Sequence, residues 1–450
     1  MNAPFKMPNL YPDRDRYLKL VPHRFGEGEG FEQIVSTLLR EVRALPGFDK
    51  GNRQKQEVAM RVIASNLVHI NDLSPEPPLT VKRGNGDYKS NRYNPYSIGI
   101  ASLRWVINGL HACGYIRYQQ GNHGSETVMF MGHAWENKGN LSRVWVADKL
   151  TQLIGRMHNH GIRTDTKARE LVVLKKPKEE GKDHADLDDY TDTDFTNNSR
   201  AILENHNALL ARTEITLSGH TCEQVLHVGN RTYDLTDKTT YRSFSNSSFE
   251  QGGRIYGGFW EQIPNNDKDG EVRGYRKKIL INGNKTVELD FSSLHLTMAY
   301  SREKIDPLTV FEQEDLYELP GYERTVVKTS WNVSLSCHRR DNGLGAIRKE
   351  LKKMGVEKTT EELSDLVDAF QAKHPKVAKY MFKNWGLKLQ FQDSEMMMII
   401  IQRFDELDIP VLTVHDSIIV DEKHEELGKR IMHESYNEAG FIGTPLIRKE

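Results

Sequence analysis

Only three cysteines occur in the 450 residues, Cys113, Cys222 and Cys337, far apart and with no CxxC pair. That argues against a zinc site and a disulfide framework, and it suits a reducing cytoplasm. Long apolar runs are missing too. The longest, Met396–Ile401, falls far short of the roughly 20 residues that span a bilayer. No N-terminal segment has the apolar core of a signal peptide. An excess of either charge is also lacking, with 62 basic residues against 63 acidic ones. A nucleic-acid-binding surface therefore has to arise from local segregation of charge. Internal repeats and low-complexity tracts are absent. The expectation is a soluble, cytoplasmic, globular chain with no membrane partner, long enough for two or three domains.

Residues 1–50 are rich in turn formers and read as a loosely packed arm with one helix near Phe31–Val42. From Gln54 to Ile70, the residues Val58, Val62, Ile63, Leu67 and Ile70 recur at helical spacing. A Pro-rich loop, Ser74–Leu79, leads to a second helix over Tyr96–Cys113, with Leu103, Val106, Ile107 and Leu110 on one face. Gly114 is placed to stop it. Tyr115–Gln119 and Glu126–Met131 read as a β-hairpin around Gly121-Asn122-His123-Gly124, where Gly and Asn supply positive φ. This order resembles a winged helix over roughly residues 54–135. On DNA, the Tyr96–Cys113 helix would face the major groove and the hairpin would touch the backbone, with Arg104, His111 and Arg117 as the basic groups. Protein contact or simple packing is the alternative use of such a module.

A Lys-rich, then Asp-rich stretch over residues 175–200 reads as a solvated linker and a natural boundary. A helix over Asn198–Leu210 and one or two strands over Ile215–Asp234 follow.

Two segments put an aspartate where packing alone would not. Thr286-Val287-Glu288-Leu289-Asp290-Phe291 is an alternating apolar run that ends in an acid, with a helix predicted over Ser292–Tyr300. Pro410–Val420 is β-rich with His415-Asp416 in its middle. A charge inside an apolar strand is costly unless it is paired or binds a metal. Two carboxylates brought together repel unless a cation lies between them. Mg²⁺ takes hard oxygen ligands from one or two carboxylates plus substrate phosphates. Two such ions about 3.5–4 Å apart clamp the attacking and leaving oxygens of phosphoryl transfer. Taken singly, either segment is equally well a helix cap or an ordinary strand acid.

Five pieces in order make the C-terminal part resemble the palm and fingers of family A (DNA polymerase I-like) polymerases and of the related single-subunit phage-type RNA polymerases. The match covers roughly residues 250–425. Gly253-Arg254 with Gln262-Ile263-Pro264 is similar to the family's primer–template contacts. Leu289-Asp290-Phe291-Ser292-Ser293-Leu294-His295 resembles motif A, which implies Asp290 and the Phe291 backbone carbonyl as metal ligands. Arg324 and Lys328 match the Arg-x3-Lys of motif B, implying contacts to the triphosphate of an incoming nucleotide. Four-residue spacing puts both on one helical face. Gln390 and Glu395, ahead of an apolar helix over Met396–Phe404, resemble a Gln–acid pair that supports the primer–template. Val414-His415-Asp416-Ser417 resembles motif C, with Asp416 as the second catalytic carboxylate; Ser417 is the RNA polymerases' residue where the DNA polymerases usually have Glu.

Departures from the family bear on substrate choice. His295 stands where the DNA polymerases have a glutamate that blocks the ribose 2′-OH, and Asn332 and Ser336 stand at aromatic positions of motif B. Strict deoxynucleotide selection is therefore in doubt, and ribonucleotide incorporation, as by a primase, enters. No proofreading Asp-x-Glu signature precedes the palm, and the thumb region, about residues 195–250, is short. Asp315 and Tyr317 in Glu314-Asp315-Leu316-Tyr317 read as helix positioning with a nucleotide contact. The basic stretch from Arg339 to Lys353 reads equally as a solvated face or a template-phosphate contact. A hydrolase triad from His415 and Ser417 lacks the Gly-x-Ser-x-Gly turn.

The expected architecture is α+β: an arm and winged-helix-like module over 1–150, a charged linker and short thumb-like connector over 151–250, and a family A-like palm with fingers (a right-hand domain) over 251–450. The resemblance implies a template-directed nucleotidyltransferase, a DNA polymerase or primase-polymerase. It would use two Mg²⁺ ions, or Mn²⁺, at Asp290, Phe291 and Asp416. Arg324, Lys328, His295 and Asn332 would face the nucleoside triphosphate. Arg254, Gln262, Gln390, Glu395 and His415 would face DNA template and primer. A stripped-down build suggests replication or priming of a plasmid, phage or integrated mobile genetic element, with accessory proteins as further partners. The alternatives are a non-catalytic replication initiator with a degenerate palm, and a short-transcript RNA polymerase.

Overall fold

The computed structural model describes residues 17–74, 76–82, 92–121, 127–130, 133–136, 141–165, 169–182, 184–229, 231–265, 274–311 and 315–449. Helices and strands mix along the chain, which packs as two compact units. One comprises residues 1–170 with 222–236, the other 171–221 with 237–450. Among the described residues no helix is long and apolar enough to cross a membrane.

In the first unit the Glu29–Arg43 helix buries Phe31, Ile34, Leu38 and Val42 completely. Spacings of three and four residues line these side chains on one face. The expected loose arm is therefore corrected over this stretch: its helix is part of the core, packed with Arg53–Leu73 and Ile100–Ala112. Residues 1–16 of that arm lie outside the described residues. Ile100–Ala112 buries Leu103, Val106, Ile107 and Leu110, and Gly114, at φ 75°, closes its end by donating to the His111 carbonyl.

The strand pairing differs from expectation. Ile116–Gln119 pairs not with residues 126–131 but with Ser142–Val146, which lies between it and Leu79–Val81 in a four-stranded sheet edged by Leu18–Lys19. Thr127–Phe130 instead pairs locally with His133–Glu136. The reason lies in burial: Ser142, Arg143, Val144 and Val146 are all buried, so this strand belongs in the sheet's interior and takes both partners. Asn122, His123 and Gly124 of the predicted turn, with Glu126 and Met131, lie outside the described residues.

The second unit is built on an antiparallel sheet in the order Ile215–Leu217, Ile279–Ile281, Asn284–Phe291, Ser417–Asp421, Leu412–Val414. Ile447–Lys449 joins the end of Asn284–Phe291. Its apolar side is closed by the helices Gly386–Glu406 and Glu425–Glu438. Gly428 permits the second of these to approach; a Cβ there would lie 2.8 Å from Leu289. The helices Arg324–Leu335, Arg340–Lys353 and Thr360–Lys373 share the same core through Val327, Trp331, Ile347 and Phe370. A three-stranded sheet of Ser248–Gly257, Thr240–Ser245 and Val172–Leu174 completes the unit.

The stretch read as a linker belongs to this second unit. Its charged side chains are largely exposed, but Lys175 bridges Leu187 and the Tyr190 hydroxyl donates to the Val172 carbonyl at 2.7 Å. Asp183 of that stretch lies outside the described residues.

Candidate active site

Along Asn284–Phe291 burial alternates: Val287, Leu289 and Phe291 are buried, whereas Thr286, Glu288 and Asp290 are half-buried on the opposite face. Asp290 thus stands on the polar side of an interior strand. The Pro410–Val420 segment is not one strand but a hairpin, Leu412–Val414 and Ser417–Asp421, with His415-Asp416 as its two-residue turn. His415 takes φ 56°, a left-handed value that ends the first strand. The register sets Asp290 directly opposite Ser417, so Asp416 is the next residue on the neighbouring element. Ser417 Oγ lies 3.0 Å from Glu288 Oε1 and 3.0 Å from the Val414 carbonyl, fixing the turn.

The Ser292 N–H donates to the Leu446 carbonyl at 2.7 Å. Peptide groups in an antiparallel strand alternate sides. Those of Phe291 therefore point away from Ile447–Lys449, to the side where the hairpin strand lies. Two carboxylates and a main-chain carbonyl are all hard oxygen donors. Among the described residues no group of three or more His, Cys, Asp or Glu side chains could hold a metal by itself. Such a donor set fits an ion that completes its shell with substrate phosphate and water, as Mg²⁺ does.

Three further elements meet around Arg254, which stands beside Asp416. Arg254, from the Ser248–Gly257 strand, lies 3.9 Å from its Oδ1. The same guanidinium forks onto Asp393, Nε standing 3.2 and 3.1 Å from the two carboxylate oxygens. His295 Nε2, from the Leu294–Arg302 helix, is 2.8 Å from Asp393 Oδ2. Arg254 Nη2 lies 3.3 Å from the same imidazole nitrogen. Asp393 has no exposed surface and is shared by a cation and an imidazole. Burial alone would weaken the Arg254 charge, but Asp393 and Asp416 outweigh it and raise its pKa further. Burial, with Arg254 nearby, pushes the His415 imidazole below its usual range. His415 Nδ1 lies 3.9 Å from Glu261 Oε1, and its ring meets Tyr256 edge-on.

The Arg324–Leu335 helix places Arg324, Lys328 and Asn332 on its outward face, four residues apart, while Val327, Trp331 and Leu335 are buried. Arg324 is held by Asp315, which also lies 3.7 Å from Arg448. Burial would raise the Asp315 carboxyl, but Arg324, the Tyr317 N–H and Arg448 together bring it below its ordinary range. Arg448 sits opposite Asp290 in the sheet register. Tyr317, stacked under Arg324 at 5.5 Å, is buried deeply enough to push its hydroxyl up, with Asp416 and Asp315 adding to the rise. The groups around Arg324 and those around Asp290 and Asp416 therefore face one region of the second unit. Glu314 lies outside the described residues.

Other predicted contacts sit further out. Gln262 is exposed at the end of the Phe259–Gln262 helix, and Gln390 is half-buried on Gly386–Glu406. Glu395 is engaged inward: it accepts from Arg242 Nη2 at 2.6 Å, an arginine with almost no exposed surface. In the first unit Arg104, His111 and Arg117 are all exposed. His111 Nδ1 lies 3.2 Å from the Ile116 carbonyl, and Arg117 lies over the Trp145 ring.

Asp393, Arg242 and Arg448 were not singled out by sequence. A signal existed for Asp393. It falls on the stripe Leu389, Asp393, Met396, Met397, Ile400, and an acid on an apolar stripe demands a partner. Arg242 and Arg448 carry no such mark, because their neighbours come from distant parts of the chain.

No protein-family model matches the chain, and no curated protein matches it by sequence. Among solved structures it is similar to the polymerase domain of Pol1 from M. smegmatis in complex with DNA primer-template and dNTP, at 11% identity and a TM-score of 0.34. That comparison covers 93% of this chain and 65% of the other, so the chain spans less than two thirds of its length.

Proposed function

We propose that the second unit is a nucleotidyltransferase centre of the family A polymerase type, a palm with fingers, acting on a nucleic-acid template. The observation that carries this reading is the register placing Asp290 opposite Ser417, and so beside Asp416, with Arg254 at 3.9 Å from Asp416. Asp290, Asp416 and the Phe291 carbonyl would hold divalent magnesium or manganese, two ions in this reading. Bound there, the ions would supply charge to the triphosphate and favour ionisation of the attacking 3′-hydroxyl.

The chain's own residues have distinct tasks. Arg324 and Lys328 neutralise triphosphate oxygens from one helical face, and Asp315 orients the first of them. Arg254, held by Asp393, keeps a fixed cation beside Asp416 and meets the primer terminus. His295 is aimed by Asp393 and lies where the sugar of an incoming nucleotide would pass. Asn332 continues the nucleotide face, and Gln262, Gln390, Glu395 and His415 border the primer–template path. The leaving group is pyrophosphate. In the first unit we read Ile100–Ala112 as the recognition helix of a winged helix, with Arg104, His111 and Arg117 exposed toward DNA.

The assay supplies the purified chain with template, with and without primer, with dNTPs or NTPs, and with Mg²⁺ or Mn²⁺. Primer-dependent extension with dNTPs identifies a DNA polymerase. Products formed without primer identify a primase, the activity suited to a small replicating element. Absence of product under every combination overturns the proposal in favour of a non-catalytic initiator.

A further inference from the structure

A cleft of about 550 Å³ opens on the second unit beside the start of the Asp194–Arg212 helix, the Ser248–Gly257 strand and the start of the Gly386–Glu406 helix. Its walls are aromatic. Phe195 lies 6.0 Å from Phe249 and 6.3 Å from Phe391, centroid to centroid, in a ring cluster over buried Phe244. All three lining rings are half-buried, so each keeps an accessible edge or face. Trp385 forms a further wall, with Arg302 4.6 Å and Lys388 5.2 Å from its ring centroid. Both cations are exposed, Arg302 also meeting the Tyr380 hydroxyl and acting on the Glu303 carboxylate. Among the described residues of the lining, Glu250 is the one acid.

Flat apolar rings beside exposed cations suit an unpaired nucleic-acid strand. Bases stack on the rings whatever their sequence, and the phosphates meet the cations. An apolar peptide would use the rings and leave Arg302 and Lys388 idle. Gln392 also lines the cleft, and the next residue along the chain, Asp393, holds Arg254 and His295.

We propose that this cleft binds single-stranded nucleic acid, the unpaired part of the template. The template role rests on the transferase reading above; affinity for a single strand does not. The test measures anisotropy of a labelled short oligothymidine and of a blunt duplex at one salt concentration, without divalent metal. It is run on the full chain, on W385A and on the exposed double variant R302E/K388E, each checked by its melting temperature. The expected result is about a tenfold loss of single-strand affinity in both variants, with duplex affinity unchanged. Should W385A fold poorly, R302E/K388E decides alone. Unchanged oligothymidine binding in R302E/K388E, or an equal loss for duplex, overturns the proposal. If the chain transfers no nucleotide but the variants lose single-strand binding, the cleft assignment stands and only the template role falls.

Discussion

At the scale of single residues, Asp393 is a carboxylate without exposed surface, shared between the Arg254 guanidinium and the His295 imidazole. Asparagine keeps its shape and removes its charge, leaving Arg254 buried with Asp416 at 3.9 Å as its remaining carboxylate. Breaking one side of a buried pair costs about 3–5 kcal/mol. Asp393→Asn is therefore expected to lower the urea-unfolding free energy of the second unit by about that amount, and to impair nucleotide transfer. His374 sets a pH dependence. Its Nε2–H donates to the Leu316 carbonyl at 2.9 Å and its Nδ1 accepts from the Tyr300 hydroxyl at 2.8 Å. Burial is the main cause that lowers its pKa to about 4. The unfolded chain takes up this proton near pH 6.5 and the folded chain does not. The stabilisation is complete above about pH 6.5 and falls by up to about 1.4 kcal/mol per pH unit as pH drops toward 4. Urea midpoints at pH 7 and pH 5 should separate clearly in the native chain, and less in His374→Gln. In sequence Asp290 and Asp416 each end or interrupt an apolar run, which by itself fits a helix cap or an ordinary strand acid equally well; pairing them came from the resemblance. His374 and Arg242 were not legible, since their partners lie far away along the chain.

At the scale of elements, the Ser248–Gly257 strand carries Arg254 into the site, and Gly253 shapes its approach. Gly253 takes φ 80°, and a Cβ there would lie 2.7 Å from Phe244, 2.9 Å from Ser394 Oγ and 3.0 Å from Arg242 Nη2. Gly253→Ala combines a left-handed backbone cost of about 1–3 kcal/mol with these close contacts. It should lower the melting temperature and displace Arg254, so activity should fall even where the protein stays folded. Helices were readable because an apolar stripe is a local property: Gln54–Ile70 became Arg53–Leu73, and Asn198–Leu210 became Asp194–Arg212. Strand pairing was not local. The Ile116–Gln119 strand found its partner at Ser142–Val146, across an intervening hairpin that no short-range turn signal could reveal. The His415-Asp416 turn was likewise hidden, because β-branched residues on both sides made one run of what is a hairpin.

At the scale of the whole molecule, each unit has its own apolar core, one around Phe31, Leu67 and Ile107, the other around Leu289, Trp331 and Ile347. Truncating a buried isoleucine to alanine costs about 2–5 kcal/mol. Ile107→Ala and Ile347→Ala should each shift a different transition in calorimetry, whereas one transition moved equally by both would show a single cooperative unit. With 62 basic and 63 acidic residues, the net charge lends nothing to nucleic-acid binding. In the proposed function, everything therefore rests on the local cluster at Asp290 and Asp416. The most direct measurement is single-turnover nucleotide transfer on the best template found, comparing the native chain with Asp290→Asn and Asp416→Asn at equal folded concentration. Transfer by the native chain is expected, with a loss of at least about a thousandfold in each variant. Transfer at the native rate by either variant would show that these carboxylates do not carry the reaction.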